Sequence, residues 1–339
     1  MPLRLIEMVL PQEHVEEARE LLREQPVVDV WYDQLSEKQT LIKILVSLEE
    51  TEHLIDLLDK HYSVVDGFRL ILLPVAASIP RQEEPEEAAQ KGEEAPPEAK
   101  KKPERVSREE LYETIKDTAK VSQVYLVMVG LSTIVAAIGI LNNSVAVVIG
   151  AMVIAPLLGP IIALALATTL GDQELARLSL KANAAGISLA LLLAIILGFM
   201  MEVNPLIPEI VSRTNIGLGN VILALASGFA GALAFTTGVP TTLIGVMVAV
   251  ALLPPLVTLG LLIGSGYFFL AVGALLLLLT NIICVNLAGV ISFYVQGIRP
   301  TNWWEANIAR RATLISVASC ASLLLILVLV ILLSKKIGI

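Results

Sequence analysis

The sequence predicts an α-helical membrane protein of about seven spans with a small soluble α+β domain at its N-terminus. Two observations predict the membrane part. Of the 339 residues, 55% are hydrophobic, and two tracts, 121–171 and 214–298, contain no Asp, Glu, Lys, Arg or His. Each tract exceeds the roughly 20 apolar residues that cross a bilayer. The soluble part is predicted because all three histidines and most of the charge lie within the first 120 residues.

The soluble domain is predicted over residues 1–77. Residues 3–76 follow the order strand, helix, strand, strand, helix, strand. The first helix shows apolar residues at helical spacing, namely Val15, Ala18 and Leu22. The third strand alternates, with one apolar face formed by Ile42, Ile44, Val46 and Leu48. This βαββαβ order is that of a ferredoxin-like domain.

The chemistry of this domain is not fixed by its fold, because the fold serves binding, regulation and oligomerisation equally well. It contains no phosphate-binding glycine loop, no zinc-binding cysteine pair and no nucleophile with a base beside it. The histidines, His14, His53 and His61, are expected to be solvated rather than to bind a metal. The domain is therefore predicted to be either a sensor of a metabolite or ion, or an oligomerisation module.

A charged linker and a helix are predicted to join this domain to the membrane. Residues 78–105 are rich in Pro, Glu, Lys and Ala and are predicted to be disordered. Ser107 and Glu110 form a capping-box pattern. An amphipathic lead-in helix is therefore expected over residues 106–120.

The transmembrane domain is predicted over residues 121–334, with a tail at 335–339. The predicted spans are roughly 121–141, 144–170, 184–203, 218–237, 239–263, 268–292 and 313–334. Asp172 to Ala182 is expected to be a separate interfacial helix. The loops on the side of the soluble domain hold more Lys and Arg than the opposite side, and the N-terminus lacks the apolar core of a signal peptide. We therefore expect a cytoplasmic membrane protein with its N-terminal domain in the cytoplasm.

A short phrase recurs in the two apolar tracts at an offset of 95 residues. Ile149 to Pro160 reads IGAMVIAPLLGP and Ile244 to Pro255 reads IGVMVAVALLPP, which agree at seven of twelve positions. Each phrase follows a short turn, LNNS in the first and TTGVP in the second. Three predicted spans separate the phrases, so they cross the membrane in opposite directions. This pattern predicts an inverted-topology repeat whose broken helices meet near the midplane.

The polar and proline residues of these two hairpins, with two asparagines of the sixth span, form the predicted pathway site. They are Asn142, Asn143, Ser144, Pro156, Pro160, Thr236, Thr237, Pro240, Pro254, Pro255, Asn281 and Asn286. Proline removes a backbone donor, so the freed backbone groups are expected to face a cavity. The alternative is that these prolines and small residues serve only helix packing. Asn281 and Asn286 lie about 140° apart on an ideal helix, so one of them is expected to bond a neighbouring helix.

Several function classes are excluded by what the spans lack. Apart from Glu202 at the outer edge of the third predicted span, they contain no Asp, Glu or His that could carry a coupled proton. They also contain no catalytic or metal-binding constellation, so neither a proton-coupled carrier nor an enzyme is expected. Cys284 and Cys320 are expected to act as small hydrophobes, and no cofactor or metal is predicted. The net charge of −8 disfavours nucleic-acid binding.

The chain resembles a known family of prokaryotic membrane proteins, domain of unknown function 389. The resemblance rests on NNSVAVVIGAMVIAPLLGPI, TTGVPTTLIGVMVAVALLPPLV and NIICVNLAG, and covers roughly residues 120–295. It implies the multi-span architecture with a small N-terminal domain and linker. It supplies no substrate and no functional residues.

The predicted function is a channel or facilitative transporter for an unidentified ion or small solute, with a neutral pathway at two proline-broken hairpins and gating by the cytoplasmic domain. The alternative is a membrane-anchored sensor or oligomeric scaffold whose soluble domain binds a ligand or partner. The bilayer is the expected environment, and a homo-oligomer is expected because small-residue surfaces such as ASGFAGALA allow close helix contact.

Overall fold

The fold comprises two compact units, Met1–Leu111 and Tyr112–Ile339. A computed structural model describes residues 3–75, 106–237, 241–299 and 313–329, with side chains for all of these except 241–251. The predicted linker 78–105, Pro240 and the tail 335–339 lie outside the described residues. The first unit contains a small antiparallel sheet and the second is helical.

The first unit follows the predicted order of strands and helices. Its elements are β1 (Leu3–Pro11), α1 (Val15–Arg23), β2 (Asp29–Gln34), β3 (Gln39–Ser47), α2 (Leu48–Tyr62) and β4 (Arg69–Val75). The strand order in the sheet is β2-β3-β1-β4, and every neighbouring pair is antiparallel. In the central pair, Ile6 lies opposite Ile44 and Met8 opposite Ile42.

The core of this unit arises from alternation in the strands and helical spacing in the helices. The predicted inner face of α1 is correct, since Val15, Ala18 and Leu22 are all buried. In β3 the buried apolar residues are Ile42, Ile44 and Val46, whereas Leu48 begins α2. Both helices therefore bury their apolar faces against the inner residues of β1 and β3.

Helix α3 (Arg108–Thr118) starts in the first unit and ends in the second. The Ser107 hydroxyl accepts a hydrogen bond from the Glu110 amide at 3.3 Å, which is one half of the predicted capping box. The Arg4 guanidinium donates two bonds to the Glu110 carboxylate, at 3.0 and 3.1 Å. Arg108 donates to Asp56 at 2.8 Å. The first turn of α3 is thus held on the first unit by two ion pairs.

After α3, the described part of the second unit contains nine helices. They are α4 (Gln123–Leu141), α5 (Val145–Ile154), α6 (Leu158–Leu170), α7 (Gln173–Met200), α8 (Pro208–Thr214), α9 (Leu218–Thr236), α10 (Thr241–Gly264), α11 (Phe268–Val295) and α12 (Thr313–Leu329). Among the described residues, α4, α7, α9 and α11 are each long and apolar enough to cross a membrane. The bent pair α5 and α6 makes a fifth candidate.

One predicted boundary is wrong. The segment Asp172 to Ala182 was expected to be a separate interfacial helix, but α7 continues from Gln173 to Met200 without interruption. The reason is local, because no proline lies between Gln173 and Met200 to interrupt the helix, and a single glycine such as Gly186 is tolerated within a helix. Asp172 caps this long helix by accepting hydrogen bonds from the Glu174 and Leu175 amides.

Helix α7 buries mainly small residues and exposes large apolar ones. The buried face of α7 is formed by Leu175, Ser179, Ala182, Gly186, Ala190, Ala194 and Gly198. Its exposed side includes Leu180, Leu192, Ile196 and Phe199. This arrangement is typical of helices that face lipid, since small residues let backbones approach and large apolar side chains contact acyl chains. Within the phrase ASGFAGALA, Gly228 packs on Val285 and Ala288 of α11 in the same chain.

Candidate functional site

The candidate site begins at the break between α5 and α6, whose axes are bent by 51°. Ala155, which precedes Pro156, has φ −71° and ψ 118°, because a following proline disfavours helical backbone. Pro156 is half-buried within this break. Pro160 lies in the first turn of α6, where the amides have no helical partner in any case. Pro156 is therefore the residue that breaks the helix, and Pro160 helps to begin the next one.

The second helix break, predicted at Pro254 and Pro255, is not observed in the structure. Helix α10 continues through Pro254 and Pro255, both of which are buried. Each proline still removes one amide from the helix, so the carbonyls four residues earlier lose their usual donor. Membrane helices tolerate such prolines where neighbouring helices support them.

The helix boundaries repeat at the offset of 95 residues. Helices α4 and α9 are both 19 residues long and begin at Gln123 and Leu218. Helices α7 and α11 are both 28 residues long and begin at Gln173 and Phe268, respectively. The turns before them also match, since Gly171 and Gly266 have φ of 73° and 83°, in the left-handed region.

Helices α4 to α7 and α9 to α11 are called the two halves of the second unit, and the contacts between these halves repeat at the same offset. A Cβ built on Gly260 of α10 would lie 2.4 Å from Cβ of Ala194 in α7. A Cβ built on Gly289 of α11 would lie 2.9 Å from Cβ of Ala165 in α6. An offset of 95 relates Ala165 to Gly260 and Ala194 to Gly289. The two contacts are thus equivalent, and each half packs its last helix against the helix that carries the repeated phrase of the other.

The break faces α7 on one side and α3 on the other. A Cβ on Gly186 of α7 would lie 3.0 Å from Cδ2 of Leu157, which is in the break. A Cβ on Gly159 would lie 2.6 Å from Cβ of Thr118, at the end of α3. The Tyr112 hydroxyl of α3 donates to the Asp172 carboxylate at 2.6 Å. Helix α3 is therefore anchored beside the start of α6.

The Tyr112 hydroxyl is held in its protonated form. Burial raises the pKa of Tyr112, and the hydrogen bond to Asp172 raises it further. The phenol therefore remains a donor to Asp172 well above neutral pH. Because Asp172 also caps α7, one carboxylate links α3 to the start of that helix.

The first hairpin tip is a helix-capping turn. Asn143 has φ 52°, in the left-handed region, and the Ser144 amide donates to the Gly139 carbonyl, as in a Schellman turn. The Asn143 side chain also accepts a hydrogen bond from the Glu209 amide in α8, at 3.3 Å. Asn142 and Asn143 are exposed and Ser144 is half-buried. These residues shape the tip and connect it to α8.

The second tip lies at the opposite end of the unit. Helices α7 and α10 run parallel, because Ala194 contacts Gly260 and Phe199 contacts Gly264. Tyr125 of α4 contacts Ala182 of α7, and Gly130 contacts Leu193. Both sequences advance together, so α4 is parallel to α7 and α10. Helix α4 ends at the first tip, whereas α10 starts at the second. Thr236 is buried and Thr237 exposed, and both hydroxyls donate to the Leu233 carbonyl.

Polar side chains inside the unit include the two predicted asparagines and one threonine that the prediction missed. Asn281 and Asn286 of α11 are 5% and 8% exposed. Asn286 Oδ1 lies 4.0 Å from Cys320 Sγ in α12, in line with the expectation that one asparagine contacts a neighbouring helix. Among the described residues, Thr258 Oγ1 and Asn286 Nδ2 are buried without a hydrogen-bond partner. A buried polar atom without a protein partner is stable where it bonds to water or to a solute.

A buried ion pair was not predicted. Glu209 and Arg213 lie four residues apart on α8, and Glu209 Oε2 is 2.5 Å from Arg213 Nη1. Glu209 is only 8% exposed. The spacing of opposite charges by four residues after Pro208 was a readable signal for this helix. The described residues contain no group of three or more His, Cys, Asp or Glu side chains that could hold a metal ion.

Comparisons with known proteins agree with the resemblance seen in the sequence. The model of the family described as Domain of unknown function (DUF389) matches residues 152–287. The chain is 37% identical over 318 residues to Uncharacterized protein MJ0678 of Methanocaldococcus jannaschii, covering 94% of this chain and 95% of that protein. No solved structure matches the chain.

Proposed function

The chain belongs to the DUF389 family, and on that premise we propose that its second unit forms a passive pathway for an ion or small solute across the cytoplasmic membrane. The pathway is a channel or a facilitative transporter, and the first unit gates it. The reciprocal contact between the two halves is the observation that carries this proposal. It brings α6 and α10, the helices in which the repeated phrases end, to the interface between the halves.

The two halves form an inverted repeat in this proposal. Helices α4 to α7 make up the first half and α9 to α11 the second, and the equal helix lengths and matched contacts support this assignment. Three crossings separate equivalent helices, so the halves have opposite orientations in the membrane. Inverted repeats place solute sites where their interrupted helices meet. The bend at Pro156 and the buried Thr258 and Asn286 groups are candidates for that lining.

Seven spans complete the proposed topology. The long helices α4, α7, α9 and α11 and the bent pair α5 and α6 account for five. Helix α10 has 24 residues and packs parallel to α7, which indicates a sixth. Helix α12 is an apolar segment of the length needed for most of a seventh.

The absence of charge in the two long apolar tracts supports passive movement rather than proton coupling. Residues 121–171 and 214–298 hold no titratable carboxylate or imidazole. A proton-coupled carrier needs such a group to gain and lose the proton. The proposed lining consists of hydroxyl, amide and backbone groups, which bind partly dehydrated solutes without a net charge.

Gating by the first unit is proposed through α3. This unit is assigned a ferredoxin-like fold, and the strand order β4-β1-β3-β2 with antiparallel neighbours supports the assignment. The start of α3 is bonded to this domain through Arg4. Its end contacts Gly159 beside the helix break. A ligand that shifts α3 would therefore act on the start of α6.

A flux measurement tests the proposal. Proteoliposomes that contain the full chain are expected to release a panel of ions and small metabolites faster than empty liposomes do. Pro156→Ala lets residue 155 adopt helical backbone and is expected to abolish the added flux. Pro160→Ala is the matched control and is expected to retain it, because Pro160 lies in a first turn. No added flux for any solute, with or without residues 1–105, would contradict the proposal.

The rival function is a membrane-anchored sensor or oligomeric scaffold. The first unit favours it through a cluster of rings, in which His14, His61 and Phe68 surround Tyr62 at centroid distances of 6.2 to 6.3 Å. Under this function the helix break serves packing only. Pro156→Ala would then leave ligand or partner binding by the first unit unchanged.

A further inference from the structure

A cavity of about 670 Å³ opens where α7 and α10 end. Its lining includes Phe199, Glu202, Asn204, Gly264, Ser265 and Tyr267. It is separate from the break at Pro156. The cavity lies at the C-terminal ends of the parallel helices α7 and α10, whereas the break contacts α7 at Gly186. Nothing in the proposed pathway requires it.

The backbone around this cavity is rich in carbonyl oxygens. Helix α7 ends at Met200, so the carbonyls of Gly198 and Phe199 have no further helical amide to accept from. The parallel helix α10 ends beside it, in a turn where the Tyr267 amide donates to the Leu262 carbonyl. The negative ends of two helix dipoles therefore lie together at the cavity.

The side chains that line the cavity also contribute negative charge. Glu202 contributes a carboxylate, and the described lining contains no Lys, Arg or His. Arg213, the cation of the nearby α8 helix, is already paired with Glu209. A positively charged ligand is therefore favoured and an anion is disfavoured.

The aromatic rings and the volume of the cavity further restrict the kind of ligand that fits. Phe199 and Tyr267 line the cavity and remain 83% and 40% exposed, so their faces are accessible. Aromatic faces attract quaternary and alkyl ammonium groups. The volume is in the range that holds a small organic molecule rather than a bare ion.

The loop that carries Glu202 is ordered by its own hydrogen bonds. The Leu206 amide donates to Asn204 Oδ1 at 3.0 Å, and the Ile207 amide donates to the Asn204 carbonyl at 3.2 Å. Pro205 restricts the chain further. The carboxylate is thus presented from a defined turn.

We propose that this cavity binds an organic ammonium group, with Glu202 as its counter-charge and Phe199 and Tyr267 as its aromatic contacts. The ammonium can belong to a free amine or to a lipid headgroup, since the exposed Phe268 and Phe269 next to Tyr267 are residues expected near the membrane interface. This site goes beyond the proposed function, because it requires binding and no transport.

Binding of choline to the full chain in an uncharged detergent tests the proposal by calorimetry. Choline is expected to bind, whereas its neutral isostere 3,3-dimethylbutan-1-ol is not. Glu202→Gln is expected to weaken choline binding about threefold to tenfold, the value of one partly exposed ion pair. Glu174→Gln, a carboxylate at the other end of α7, is the control and is expected to bind choline as the wild type does.

Nanodiscs of defined lipid distinguish the two sources of the ammonium. If phosphatidylcholine discs abolish the binding of added choline that phosphatidylglycerol discs retain, the site holds a lipid headgroup. If both discs retain it, the site holds a free amine, and both results support the proposal. Equal binding of choline and its neutral isostere, or unchanged binding by Glu202→Gln, would overturn it. These readings are independent of flux, so they separate this site from the proposed pathway.

Discussion

At the scale of single residues, several of the predicted pathway residues shape the backbone. Asn143, one of the predicted pathway residues, has left-handed backbone, and its side chain accepts a hydrogen bond from the Glu209 amide, so it also shapes the first hairpin tip. Pro160 likewise begins α6. Thr258 and Asn286 retain polar atoms without partners among the described residues, so they are better candidates for contact with a solute.

Tyr62 yields a prediction about pH at this scale. Burial raises its pKa to about 12, with a further contribution from Glu17. Because the folded-state pKa lies above the ordinary value of 10.0, the stabilisation is complete below pH 10 and declines as the pH rises towards 12. The buried hydroxyl has no partner among the described side chains and backbone groups, so Tyr62→Phe is expected to stabilise the first unit at pH 7 by about 1 kcal/mol.

Urea unfolding of the full chain, followed by Trp31 fluorescence with Trp303 and Trp304 replaced by Phe, measures both effects. The difference between Tyr62→Phe and the parent is expected to grow as the pH rises above 10. A constant difference from pH 8 to pH 12 would contradict the assigned cause.

At the scale of helices, the small-residue face of α7 decides which helices can touch. A Cβ on Gly198 would lie 2.3 Å from the Leu261 carbonyl oxygen, and a Cβ on Gly264 would lie 2.1 Å from the Ile195 carbonyl oxygen. The backbones of α7 and α10 are therefore in direct contact. No side chain larger than hydrogen fits at either position without moving one helix.

Gly198→Leu is expected to separate these helices and to lower the stability of the full chain by about 1–3 kcal/mol or more, as overpacking does. Gly150→Leu is the matched control, because a Cβ at Gly150 meets no atom within 4 Å. Thermal unfolding in detergent compares the two. Equal melting temperatures for both variants would show that α7 and α10 do not pack in this way.

At the scale of the whole molecule, the equivalent contacts of the two halves predict opposite orientations in the membrane. Asn142 and Thr237 are both exposed and follow equivalent helices, α4 and α9. In a chain with Cys284 and Cys320 replaced by Ser, Asn142→Cys and Thr237→Cys are each expected to react with a membrane-impermeant maleimide from one side only. The two sides are expected to be opposite.

Sealed vesicles of both orientations provide the measurement, with maleimide labelling before and after permeabilisation. Thr237→Cys is expected to react from the cytoplasmic side, where the soluble domain is proposed to lie. Labelling of both cysteines from the same side would exclude the inverted repeat.

The sequence by itself determined the membrane class, the strand and helix order of the first unit, and the family, since these depend on charge-free length, periodicity and local motifs. It also contains a phrase of Gly, Pro and apolar residues that recurs at an offset of 95 residues, which predicts the inverted repeat. Only the tertiary structure decided that α10 remains helical at Pro254, that Asn143 is a cap, and that Ala194 meets Gly260 as Ala165 meets Gly289. Those outcomes depend on which neighbour supports a freed backbone group or fills the space beside a glycine, and no local pattern contains that information.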